Sequence, residues 1–158
     1  MRTVYLIGTC HKYQFGPIPF GDTKDIEFTE FREALRNAIQ RYDVRGVGEE
    51  LCLETLGKWK RHWPCGDSVA CSLALEMGLP HRYCDPDDAT RKMERIVRPN
   101  DKEPYWIAQL RVIDRFPTLF ILGADHVVRF ERLLAASGMQ PSVVVRDWKP
   151  STNSLGAC

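Results

Sequence analysis

The sequence predicts an α/β fold: a single domain with a largely parallel five-stranded sheet flanked by helices. Short apolar or β-branched runs alternate along the 158 residues with segments whose apolar positions recur every three or four residues. Strands separated by helices pair in parallel, and both faces of such a sheet are covered. The length suits one domain with a core of its own.

Thr3 to Ile7 is the first strand. Phe28, Phe31, Leu35, Ile39 and Tyr42 then recur at helical spacing and predict an amphipathic helix over 29–42. Val44 to Val47 reads as the second strand. Asp67 to Met77 forms a helix with Asp67 as its N-cap, and Gly78 and Pro80 lie past its end. Arg82 to Cys84 is the third strand, followed by a short charged helix from Asp87 to Ile96. Pro104 suits a first helical turn, and Ile107, Leu110, Ile113 and Phe116 supply its apolar stripe. Thr118 to Leu122 is the fourth strand, His126 to Ser137 the last helix, closed by Gly138, and Ser142 to Val145 the fifth strand. The domain therefore spans 1–148, and residues 149–158 read as a disordered tail. Residues 9–27 form a long loop rich in Gly and Pro, a length usually tied to function or mobility; a lid beside His11 is one reading that the sequence leaves open.

Lys plus Arg number 22 and Asp plus Glu 21, so the chain carries no basic excess. That balance argues against nucleic acid and against an anionic membrane as partners. The apolar runs are too short for a membrane span, and the N-terminus is too mixed for a signal peptide. Six cysteines without a CxxC pair point to reduced thiols in a cytoplasmic protein and give poor spacing for structural zinc. No Walker A loop, GxGxxG or GxSxG elbow is present.

In an open parallel sheet, ligands bind beyond the carboxyl ends of the strands. After the first strand come Cys10 and His11, after the second Glu49 and Glu50, after the third Asp85, and after the fourth Asp125 and His126. Two of the four histidines thus fall on one rim. Neutral imidazole and carboxylate suit acid–base work, and they also ligate Mn, Zn, Co or Fe, which would supply a nucleophilic water. His11, His126 and one of Glu49 and Glu50 are the candidate catalytic set. His11, Glu50 and His126 are the candidate metal ligands, with Asp85 and Asp125 orienting the imidazoles. Asp125 is also a candidate N-cap of the last helix. Cys10 as a thiol nucleophile is a minor reading, since adjacent His11 points away from it on an extended chain. His62 and His81 suggest no partner.

The stretch "YLIGTCH" resembles the Gly-Thr-x-His opening of the Tiki/TraB/ChaN-like superfamily, which takes in the erythromycin-esterase-like proteins. Glu49 or Glu50 matches its acidic position. "LFILGADHVVRFERLLAASGMQPSVVV" is similar to its late Gly-x-x-His motif with the helix and strand that follow. The resemblance spans Val4 to Val145 and implies an α/β fold with His11, Glu49 or Glu50, and His126 at one rim. Members include metal-dependent proteases, macrolactone esterases and a haem-iron binder, so it implies a site rather than a substrate. The chain lacks the long helical insertions of larger members and has Asp125 where Tiki and TraB proteins tend to have a small residue.

These observations favour a small cytoplasmic hydrolase acting on a small molecule or peptide. The alternative is a ligand- or iron-binding module on the same rim. Open sheet edges also allow pairing of two copies in a homodimer.

Overall fold

A computed structural model of the chain describes residues 1–15, 25–62 and 67–151, with the side chains of 25 and 59–62 outside the description. Five strands form one sheet: β1 (Thr3–Thr9), β2 (Gly46–Glu49), β3 (His81–Tyr83), β4 (Thr118–Gly123) and β5 (Gln140–Trp148). All pairings are parallel, in the order β3-β2-β4-β1-β5. The predicted α/β class with a parallel five-stranded sheet is what the chain adopts. β4 comes late in the sequence yet lies between β1 and β2. Its register sets Thr9 beside Gly123 and Ile121 beside Glu49, so the carboxyl ends of β1, β2 and β4 finish together.

The two-residue alternation of the strands divides the core. Ile7, Val47, Leu119 and Ile121 point to one face, where α2 (Asp25–Arg41) and α4 (Val69–Glu76) cover them with Phe31, Leu35, Ala70 and Leu73. Val4, Leu6, Phe120 and Leu122 point to the other, beneath α6 (Glu103–Ile113) and α7 (Val127–Ala136), where Trp106, Leu110, Phe130 and Leu134 pack. Every residue of β4 is buried, as expected of a central strand covered on both sides.

Gly8 shows how tightly β1 and β5 approach. A Cβ there would lie 1.9 Å from the Arg146 carbonyl oxygen and 2.5 Å from Val127 Cγ2. The β1–β5 register shifts on either side of Ile7. Only glycine lets the backbones pass so closely.

Several boundaries differ from expectation. The segment 9–27 is not one loop: His11–Gln14 forms a helical turn, α1, and α2 begins at Asp25; the lid reading for 16–24 lies outside the described residues. A further helix, α3 (Leu53–His62), lies outside the expected elements, because "LETLGKWKRH" is mostly polar; among its described side chains Leu56 is the buried apolar anchor. The N-cap of α4 is Ser68 rather than Asp67, its hydroxyl accepting from the Cys71 amide at 3.0 Å. Asp87 does cap its helix, α5 (Asp88–Met93), accepting from the Thr90 amide at 2.7 Å. Asp125 does not cap α7: a 3-10 turn over Ala124–His126 intervenes, and His126 takes the cap position without a side-chain bond. Part of the segment expected to be a tail, 149–151, is described. Ser151 is docked on α2, its amide and hydroxyl bonded to Glu30 at 2.7 and 2.8 Å, and the remainder from 152 lies outside the described residues.

Candidate active site

β2 ends in two glutamates that diverge, because successive side chains of an extended strand point to opposite faces. Both are almost wholly buried. Glu50 enters the rim between β1 and β4. Its Oε2 accepts the Gly123 amide at 2.7 Å, and its Oε1 meets the Lys102 ammonium at 2.7 Å. His126 Nε2 lies 3.7 Å and His11 Nε2 3.9 Å from that same Oε1. Gly123 is small for a reason: a Cβ there would sit 3.1 Å from His11 Nε2 and 3.3 Å from Glu50 Oε2. Glu49 turns to the other side of the sheet, where Ser68 Oγ donates to its Oε1 and His81 Nε2 lies 2.7 Å from the same oxygen. His81, which suggested no partner in the sequence, is therefore the neighbour of Glu49.

Each site imidazole is held by its other nitrogen. His126 Nδ1 is 2.9 Å from Glu103 Oε1, and Glu103 is completely buried, with Arg129 Nε 2.8 Å from its Oε2. A carboxylate only accepts, so Nδ1 donates, and in the neutral ring Nε2 carries the lone pair toward Glu50. His11 Nδ1 is 2.7 Å from Gln14 Oε1, one helical turn on in α1. The group that orients His126 is thus Glu103, not Asp125 or Asp85. Asp125 lines the rim beside His126 and makes no hydrogen bond or ion pair among the described residues. Asp85 instead holds Lys102 at 3.2 Å, the Trp106 indole N–H at 3.1 Å and Arg91 at 2.7 Å.

Lys102 and Glu103 are the functional residues that sequence reasoning missed. They lie in "NDKEPYW", at the start of α6, far in the chain from either histidine. Pro104 marked the helix start, but nothing local says that its first turn faces the end of β4.

The donor set bears on whether a metal fits. Two imidazole Nε2 atoms face one carboxylate oxygen, but that oxygen already holds the Lys102 ammonium. Among the described residues no group of three or more His, Cys, Asp or Glu is arranged to hold a metal ion. The cluster as it stands satisfies a lysine cation.

Two cavities flank His11. One, of about 250 Å³, is lined by Thr9, His126, Asp125, Asp147 and Lys149; the other, of about 220 Å³, by Phe15, Leu51, Thr55, Glu50 and Lys102. The exposed lining of both is more apolar than polar, the second more strongly so. Cys10 lies at the edge of the first. Cys52, Cys71 and Cys84 form no disulfide, and burial pushes the Cys84 thiol up to about 12.

No family model, curated protein or solved structure matches this chain. Among the described residues, no helix is long and apolar enough to cross a membrane.

Proposed function

We propose that the protein is a small hydrolase that activates water by acid–base chemistry at the His11, Glu50 and His126 cluster. One observation carries the reading: two imidazoles, each fixed at Nδ1, turn Nε2 toward one buried carboxylate oxygen within 4 Å. A water seated there meets two bases and an acceptor. His126 takes its proton, and the buried Glu103 carboxylate steadies the resulting imidazolium. The water oxygen bonds to an acyl carbon, and the Lys102 ammonium stabilises the negative charge that develops on the carbonyl oxygen. As the tetrahedral species collapses, the bond to the leaving oxygen or nitrogen breaks and His126 returns the proton to it. The resemblance to the erythromycin-esterase-like proteins points the same way, toward an ester or lactone, with its apolar acyl part on the Leu51 and Thr55 side.

A panel of short-chain esters and lactones tests this. His126→Ala and Glu50→Gln are expected to lower turnover by about 10²- to 10⁴-fold while the fold is kept. Unchanged turnover in both, or none in the wild type, overturns the reading. The metal form of the hypothesis is tested beside it, by elemental analysis of protein purified without a His tag. Because Lys102 occupies Glu50 Oε1, stoichiometric Mn, Zn, Co or Fe is not expected, and added metal should not raise turnover.

A further inference from the structure

Glu49 is fully buried and does not touch the cluster around Glu50, yet it is built into a definite hydrogen-bond chain. Its Oε1 takes two donors, Ser68 Oγ–H and His81 Nε2–H. Its Oε2 accepts from Gln14 Nε2 at 3.5 Å, and Gln14 is itself fully buried. An ionised carboxylate only accepts, so it draws the NH2 end of the Gln14 amide to itself. The carbonyl end is thereby turned to His11 Nδ1, 2.7 Å away. A carbonyl also only accepts, so Nδ1 must carry the proton. Nε2, which faces Glu50 Oε1 at 3.9 Å, is left with the lone pair.

We propose that Glu49, acting through Gln14, is a positioning residue that sets the tautomer of His11 and so makes its Nε2 a base facing the site. The use of that base rests on the hydrolase reading above; the tautomer itself does not. In this account the neighbouring glutamates divide the work. Glu50 meets the reacting groups directly, and Glu49 programmes one of the imidazoles from across the sheet.

The chain of donors and acceptors dictates a reversal. In Glu49→Gln, with Ser68 and His81 keeping the donor roles they have toward the carboxylate, the new NH2 falls at the Oε2 position and faces Gln14. The Gln14 amide must then turn over and offer N–H to His11 Nδ1, moving the ring proton to Nε2. Adding Gln14→Glu to Glu49→Gln puts an acceptor back against both neighbours with the total charge unchanged, and restores the Nδ1–H form.

Long-range ¹⁵N–¹H correlation spectra of histidine-labelled protein, at a pH where the ring is neutral, read this directly. The expected result is Nδ1–H for His11 in the wild type, Nε2–H in E49Q, and Nδ1–H again in E49Q/Q14E, with His126 unchanged throughout. Gln14→Met, which removes both bonds without adding a charge, should leave a mixture and serves if E49Q does not fold. An Nε2–H wild type, an E49Q spectrum like that of the wild type, or no return in the double variant overturns the proposal. In the ester assay E49Q should lose about 10- to 100-fold and the double variant recover it. If the spectra behave as expected and no variant hydrolyses anything, the relay stands and the hydrolase reading falls.

Discussion

The proposed chemistry turns on side chains whose freedom has been removed. His126 is held on Trp106, ring centroids 5.2 Å apart, and tied at Nδ1 to Glu103. Glu103→Gln keeps the shape but offers an amide that can donate to Nδ1, which moves the ring proton to Nε2. Turnover is expected to fall by up to about 10⁴-fold with the fold retained, as measured by ester hydrolysis beside thermal unfolding. Gly123→Ala makes a complementary test. The added methyl meets the ends of His11 and Glu50 rather than backbone, and His11 is half-exposed and can yield. Activity should fall, while stability changes by about 1 kcal/mol or less; a large stability loss with intact activity would contradict this placement. The histidines and glutamates of this cluster were readable from the sequence, because each follows directly on an apolar run. Their partners were not. Glu103 meets His126 across 23 positions and Gln14 meets Glu49 across 35, and no periodicity carries such pairings.

At the scale of elements, legibility followed the strength of the apolar pattern. α2 and α7 show stripes wide enough to read, and β1, β4 and β5 show clear runs, whereas β3 is the half-buried His-Arg-Tyr. α3 and α1 have too few apolar positions in sequence to announce themselves, and neighbours help to hold them. One such neighbour contact is electrostatic. The Asp88 amide donates to Glu54 Oε2 at 2.9 Å, and with help from Lys58 it holds the Glu54 carboxyl down at about 2 from an ordinary 4.5. A depressed carboxyl stabilises the fold fully above its unfolded value. The contribution is lost as pH falls from about 4.5 through about 2. Glu54→Gln should therefore be less stable than wild type at neutral pH, and the difference should shrink toward zero on acidification in denaturant titrations. Asp87→Ala removes the cap of α5 and is expected to cost about 1 kcal/mol.

For the molecule as a whole, one sheet carries both cores. Phe31 lies on the α2 and α4 side and Trp106 on the α6 and α7 side, and both are fully buried. Alanine at either should cost about 3–5 kcal/mol. Both should lower one shared transition rather than produce two, since β4 belongs to both clusters. Separate transitions in calorimetry would show that the faces unfold independently. The strand order itself was not legible. The sequence order of strands and helices gives the class, but nothing in "TLFIL" says that it will part β1 from β2 instead of extending an edge.

That insertion has a consequence for the chain while it is being made. Until β4 leaves the ribosome, β1 has neither of its sheet neighbours, for β5 follows later still. The nascent chain must therefore carry its first apolar strand unpaired through more than a hundred residues of synthesis. The histidine at its end stays apart from its counterpart until the middle of the sheet is filled. An N-terminal fragment that stops short of β4 leaves β1 unpaired and lacks His126, and the time between the first strand and the fourth is when the chain most needs protection from other chains.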